Sequence, residues 1–579
     1  MLRGIEAALE GLRGARREAV RRFVAEYSGI EYPVLTASQY MAFARTGERA
    51  VMEAPYFLRR RKLIAALLGA LMDGEGVDAV ADGLWLICEE TSWVVSAHNG
   101  GEHDGVEARA YAPLPDPNRP YVDLFAAQTA MILSVACRLL EKPLDDVTPM
   151  IRRRVQGEVE RRVLKPFETR DDFWWMGVIR KDLNNWTPWI VSSVACAACV
   201  WIEAGARLDA LLDRCDQMVG RYMDCIPGDG GCDEGVGYWS MATGAVLDFV
   251  QLMETRPGWR FDQAEKLRRM ARFPLDMWLG GDWFANFGDC DARPEVPGER
   301  LQYAGRRLDV PELTALGARF RSDPTDMVKD TPQLWRLVNE LVSPMDGAGE
   351  IDPPAGAWLG DLEIRRLTRG GATLVCKGGV NGFNHSHNDC GSFIYFADGE
   401  PQVVDAGNAV YTRKSFSEAR FGLWHIRSRY HNVPLIGDFE QAAGEDHRAR
   451  DVACEADGLS LDIAGAYPAE AGVKALRRRF SMAEDGALTL SDEIGLDAPR
   501  TVTETLMLRR RPEVTGGGVR SGAIRVEFDE AMAVEVEEIP VDDPRMARNY
   551  PGSLWRVALT APAARQHRID IRIERARNE

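Results

Sequence analysis

The 579-residue chain predicts a multidomain α-and-β protein, helical in its first part and antiparallel β in its second. Three observations predict this. Apolar residues recur at helical spacing from the start to about residue 340. A Pro/Gly-rich stretch, 343–354, then interrupts the pattern. Beyond it the period drops to two, in short runs separated by turn residues, as in a β-sandwich. The length is too great for one core. The expected division is a helical domain at 1–345 and a β-sandwich at 355–579.

In the helical part, 5–27 reads as amphipathic, and 57–72, 122–140, 188–204, 208–225 and 237–255 carry apolar residues at helical spacing. Breakers at Pro113–Pro117, Pro227–Gly231 and Arg256–Gly258 separate them. A long series of paired helices suggests a helical toroid or bundle. In the second part the runs 362–367, 372–376, 393–396, 488–492, 501–508 and 569–573 alternate as strands do.

Composition sets outer limits. Hydrophobic content of 45% and charge of 27% are those of a globular protein, and no apolar run is long enough to span a bilayer. A net charge of −17 argues against a nucleic-acid partner. The eleven cysteines show no disulfide spacing, and Cys196 and Cys199 read as buried helical neighbours one turn apart. Free thiols and no visible leader at the N-terminus predict a cytoplasmic protein, or a periplasmic one if a leader has been removed. No membrane partner is expected, and homo-oligomerisation is left open.

The densest chemistry lies in Asn384-His385-Ser386-His387-Asn388-Asp389-Cys390-Gly391-Ser392-Phe393, which holds two of only eight histidines. Read as a strand, it puts residues 385, 387 and 389 on one face. Val403-Val404-Asp405-Ala406-Gly407 and Tyr430-His431-Asn432-Val433 come after it in the chain. Two imidazoles and a carboxylate are a common zinc ligand set, so His387, Asp405 and His431 form a metal candidate. The same residues also suit a hydrogen-bonded structural network.

These runs, with Tyr411 after the Asp motif, resemble the heparinase II/III-like family of polysaccharide lyases, most strongly across 375–440. The resemblance implies an incomplete (α/α) toroid followed by a β-sandwich. It also implies one zinc ion, mainly structural, on His387, Asp405 and His431. In the helical part, Asn185-Trp186 and Glu234-Gly-Val-Gly-Tyr238 match the family in order and approximate spacing. Where some members have His, this chain has Trp186, so that role would pass to His385.

The activity implied by the resemblance is β-elimination on a uronic-acid glycan such as alginate or a heparin-like chain. Asn185 would hydrogen-bond the substrate carboxylate, Tyr238 would act as acid, base or both, and His385 would be the partner base or carboxylate neutraliser. Arg427 and Arg429, Trp186, Glu234, His98, Gln128 and Tyr411 are expected at substrate, with Trp174 and Trp175 as stacking surfaces. Asn286-Phe-Gly-Asp289 reads as a turn approaching the site. The expected partner is an anionic oligosaccharide or polysaccharide cleaved in an exo mode. The alternatives are a glycoside hydrolase using Glu234 and Asp233, and a glycan-binding protein without activity.

Overall fold

The computed structural model describes residues 5–99, 112–320, 323, 325, 326, 328, 332–344, 347, 350–382, 385–416 and 418–576. Asn384 of the His-rich motif, and residues 345, 346, 348 and 349 of the Pro/Gly-rich stretch, lie outside them. The chain forms two compact units. One comprises Met1–Ile226, Ser240–Glu265 and Pro297–Gly349, the other Pro227–Trp239, Lys266–Val296 and Glu350–Glu579.

The first unit is helical. Leu124–Leu139 starts where the Asp123 carboxylate accepts from the Ala126 amide at 2.7 Å, satisfying one of the amides a helix start leaves open. It packs against Trp186–Trp201, which packs in turn on Ala206–Cys225 and Thr243–Met253. Two buried ion-pair groups brace these helices. Glu90 accepts from Arg59 and Arg60, and Asp248 from Arg300 and Arg336. Cys196 and Cys199 lie one turn apart in Trp186–Trp201, as expected, but only Cys196 is buried and Cys199 is half-buried. Among the described residues no single helix is long and apolar enough to cross a membrane.

Among the described residues, the second unit holds fifteen antiparallel strands in one hydrogen-bonded network and a separate two-stranded pair at 278–284. The runs 488–492 and 501–508 are halves of a single strand, Leu488–Leu508, paired along its length with Ser553–Arg575. A register break between Gly495 and Val502 splits this ribbon, so each half has its own neighbours. Val473–Met482 lies on one half, Pro434–Ile436 and Ala533–Pro540 on the other. Alternate residues of these strands fill one core that includes Leu374, Phe393, Tyr395, Leu476, Phe480, Leu506 and Ile571. Two adjacent strands position the site. The 385–392 loop enters Phe393–Ala397, and Asp405 comes just after its neighbour Glu400–Val403.

Three expectations are corrected. The 5–27 helix is broken at Arg13, whose backbone is extended (φ −137°, ψ 167°), giving Ile5–Glu10 and Gly14–Ser28. The 237–255 helix is two, Val236–Trp239 and Thr243–Met253, interrupted at Ala242 (φ −93°, ψ −85°). Tyr238 therefore sits on a short helix of the second unit. Helical periodicity overlooks this because 227–239 and 266–296, sequentially within the helical part, take their partners from the β region: Asp229 accepts from the Asp361 amide at 2.7 Å and Asn286 donates to the Asp405 carbonyl at 3.1 Å. Finally, 385–392 is a loop and not a strand. His385 has a left-handed backbone (φ 56°), and local turns replace the ladder that alternation would require.

Candidate active site and metal centre

Asp289 is the hub of the second unit's polar cluster. Its side chain is fully buried, and two histidines, a tyrosine and an arginine converge on it. Oδ2 lies 2.8 Å from His385 Nδ1 and accepts from the Tyr411 hydroxyl at 3.1 Å. Oδ1 lies 3.1 Å from His387 Nε2 and accepts from Arg420 Nη2 at 2.8 Å. The Asp289 amide also donates to the His385 carbonyl at 3.1 Å. Gly288 makes this approach possible. Its φ is +66°, and a Cβ there would stand 2.9 Å from the His385 carbonyl oxygen. Burial alone would raise the Asp289 carboxyl. The bonds from His385 and His387, the His387 charge and the Arg420 bond override it and hold the group far below the usual carboxylate range.

Tyr238 and Tyr411 meet hydroxyl to hydroxyl at 2.8 Å, and the Tyr238 ring lies 5.2 Å from that of His385. Burial pushes both hydroxyls well above the ordinary phenol value, so both hold their protons at neutral pH. On the other side of His385, Nε2 is 3.6 Å from Glu234 Oε1. Glu234 is pushed up to about 7, first by burial and then by the charges of Asp233 and Asp289, against the pull of His385. His385 itself is lowered by burial, yet its bond to Asp289 and the charges of Glu234 and Asp289 raise it overall. A phenolic proton donor, an imidazole and a carboxyl that titrates near neutrality thus lie against one another. A left-handed backbone at a histidine costs on the order of 1 kcal/mol or more and is typical of functional loops.

Beside this cluster, His387, Asp405 and His431 are fully buried and offer ligand atoms within 4.8 Å of one another. His431 Nδ1 lies 3.0 Å from Asp405 Oδ2, and the Gly407 amide donates to Asp405 Oδ1 at 2.8 Å. That leaves His387 Nδ1 and His431 Nε2 buried with no partner among the described residues. Two orphaned imidazole nitrogens in a buried group that also holds a carboxylate fit a metal ion, since buried polar atoms are otherwise nearly always paired. Asp389, read on the same face as His385 and His387, instead pairs with Lys377 at 2.7 Å.

Arg427, between two short 3-10 turns, and Arg429, on the second of them, both pair with Glu440. This is the acid partnership that two surface arginines would make. In the first unit, Asn185 is buried just before Trp186–Trp201. His98 Nδ1 lies 2.7 Å from Asp123 Oδ2, and its ring stacks on Phe125 and leans on Trp186 at 4.7 Å. Trp174 packs on Trp186 at 5.1 Å. Gln128 is buried in the neighbouring helix, and its Nε2 has no partner among the described residues. Trp175 is wholly buried and donates to the Val122 carbonyl, so it is a core residue and not a stacking surface.

Sequence reasoning places Asp289 only in a turn approaching the site, not as its hub, and misses Arg420. Asp289 is 96 residues from His385, and nothing local marks Arg420.

Comparison with known proteins bears on the fold that carries these residues. Residues 351–564 match the family described as Heparinase II/III-like, C-terminal. No curated protein matches the sequence. Among solved structures, Heparinase III superposes with a TM-score of 0.65 at 12% identity, covering 97% of this chain and 90% of that one. A heparan sulfate lyase HepC mutant from Pedobacter heparinus gives 0.63 at 12%, covering 98% and 84%. A chondroitin AC lyase mutant from Streptomyces coelicolor A3 gives 0.51 at 9%, covering 98% and 83%. The fold is therefore the expected one, an (α/α) toroid followed by an antiparallel β-sandwich.

Proposed function

We propose, from a C-terminal domain that is heparinase II/III-like, that this chain is a polysaccharide lyase cleaving uronic-acid glycans by β-elimination. The single observation that carries the reading is the convergence of Tyr238, Tyr411, His385 and Glu234 around Asp289. It supplies a proton donor and a proton acceptor side by side.

Elimination at a uronate needs the C5 proton removed and the departing glycosidic oxygen at C4 protonated. The Tyr238 hydroxyl, held protonated by burial, is the donor to the leaving oxygen. Tyr411 resupplies it through their 2.8 Å hydrogen bond. His385, fixed at Nδ1 by Asp289, presents Nε2 towards Glu234, and the His385–Glu234 pair takes up the C5 proton. Heparinase III, a heparan sulfate lyase and a chondroitin AC lyase share the fold, which favours an anionic glycan as substrate. In the first unit, Asn185 is the resemblance's carboxylate ligand, and the half-buried face of Trp186 suits pyranose C–H surfaces, while Trp174 is buried behind it.

His387, Asp405 and His431 would hold one zinc ion. When bound, it would order the 385–392 loop and leave the proton transfers to the chain's own side chains. The exo mode belongs to the same proposal.

The test is a panel of alginate, heparan-type and chondroitin-type polymers and oligomers, assayed for the ultraviolet-absorbing 4,5-unsaturated end. Elimination yields it. Hydrolysis would give new ends without the absorbance, and a binding protein would give no new ends. Early products confined to the smallest unit mark the exo mode, and a ladder of sizes overturns it.

A further inference from the structure

The lyase reading needs a cation against the substrate carboxylate, because removing a proton beside that anion adds negative charge to it. The arginines in the second unit can be sorted by what they already hold. Arg427 and Arg429 face Glu440. Arg420 is spent on Asp289, the Ser386 carbonyl and the Ser415 carbonyl. Arg545 differs. It stands on the short helix Pro544–Asn549, which is held against the Tyr411 segment because Asp543 caps it and also accepts from the Val410 amide at 3.0 Å. Asn549 ties the helix to the 289–293 loop, donating to Asp291 at 3.0 Å and accepting from the Arg293 amide at 2.9 Å.

The Arg545 guanidinium lies 5.5 Å from the centre of the Tyr411 ring. Nε is 3.1 Å from each Asp291 oxygen, and Nη2 is 2.9 Å from Oδ2. Nη1 makes no hydrogen bond with the described residues. One edge of the fork is therefore fixed by Asp291, and the Nη1–Nη2 edge is left open beside the Tyr238–Tyr411 pair.

We propose that Arg545 binds the uronate carboxylate through this open edge, with Asp291 setting the plane of the guanidinium. The inference rests on the lyase reading for its substrate, and it assigns the carboxylate contact of the second unit to a residue no motif contains. A guanidinium edge matches a carboxylate with two parallel N–H···O bonds, which an ammonium cannot copy.

The experiment measures binding by calorimetry, in a Tyr238→Phe background that spares the probe. The probes are a heparosan tetrasaccharide, an unsulfated chondroitin tetrasaccharide and a mannuronate trimer, each as free acid and as carboxyl methyl ester. The parent binds at least one acid on the order of 10–100-fold more tightly than its ester. Arg545→Gln abolishes that preference, and Arg545→Lys keeps only part of it. If Arg545→Gln melts early, Arg545→Lys carries the comparison, since it leaves a cation on Asp291. An unchanged acid-over-ester preference in a folded variant overturns the proposal, as does a parent with no preference for any acid. The lyase reading fails separately, if wild-type protein makes no unsaturated ends from the acids while the Arg545-dependent preference persists.

Discussion

Replacing Asp289 by Asn tests the cluster at its hub. The amide keeps the shape of the carboxylate but turns one of its two oxygens into a donor. If the NH2 takes the Oδ1 place, it confronts His387 Nε2 and Arg420. If it takes the Oδ2 place, it confronts His385 Nδ1 and the Tyr411 hydroxyl. Either way two of the four contacts fail. A hydrogen bond to a charged group contributes about 1.5–3 kcal/mol. Bonds sharing one acceptor are not additive, so the expected loss is about 3 kcal/mol, on the order of 100-fold in an equilibrium or a rate.

For Asp289→Asn, kcat should fall by about that factor while KM stays within a few-fold, because proton transfer is disarmed and the substrate contacts remain. Metal affinity should weaken by roughly 10–100-fold, the usual cost of losing a partner that orients a ligating histidine. The Asp289 carboxyl sits far below its ordinary value in the folded chain. Its stabilisation is therefore present above the unfolded value and lost only as pH falls through the folded one. The deficit of the variant should accordingly be full from about pH 5 up to the raised His385 value and shrink as pH rises through it, where the imidazole charge on Asp289 is lost. Steady-state rates of unsaturated-product formation, metal analysis and melting curves at several pH values check each part. A folded Asp289→Asn protein with wild-type metal content and kcat within threefold would refute the hub argument.

Tyr238→Phe deletes one hydroxyl and keeps the ring, so kcat should drop roughly 10²–10⁴-fold with the melting temperature unchanged; near-normal turnover would make Tyr238 a packing residue. Chelation should lower the melting temperature, since an ion present at 1,000 times its Kd stabilises the state that binds it by about 4 kcal/mol. His387→Ala should mimic the loss and abolish the chelator's effect, and indifference to chelator in protein free of bound metal would count against the site. Glu234 is raised from 4.5 to about 7, so its contribution to stability is full below the ordinary carboxylate range and is lost as pH rises through about 7. That shift corresponds to about 3 kcal/mol, so Glu234→Gln should gain stability relative to wild type at pH 8 and not at pH 4. Equal pH profiles for the two proteins would show that the carboxyl is not buried as described.

Periodicity makes most of the fold legible. Helix and strand patterns come from which face meets a core, and a core face imposes its repeat over ten residues or more. The same reasoning fails where a segment's partners are distant. Residues 227–239 and 266–296 look helical or neutral locally, yet they belong to the β-containing unit through Asp229, Trp239 and Asn286. The metal candidate is legible as residue types, and Tyr238, His385, Glu234 and Tyr411 through the family's motifs. Asp289 is visible only as part of a turn. A lone aspartate after Asn-Phe-Gly carries no sign that four side chains from three other loops will converge on it. Arg545 lies still further from any pattern, since only folding brings it to Tyr411.

The 385–392 loop explains why such a site can be strained and still be ordered. Most of its supports are uncharged amides, and they do not depend on a metal. Gln441 brackets Cys390, accepting from its amide at 2.9 Å and donating to its carbonyl at 2.8 Å. Asn381 accepts from the Asp389 amide and donates back to Gln441 and the Ala442 carbonyl. Asn432 ties the following strand to its neighbours through the Phe393 and Val404 carbonyls and the Met507 amide. Each such bond contributes about 0.5–1.5 kcal/mol, enough together to offset the left-handed backbone at His385. The scaffold reaches as far as Asn388 and stops there. His387 and His385 beyond it depend on Asp289 and, for His387, on whatever its free Nδ1 holds. Metal loss should therefore loosen the two histidines and slow turnover before it unfolds the sandwich.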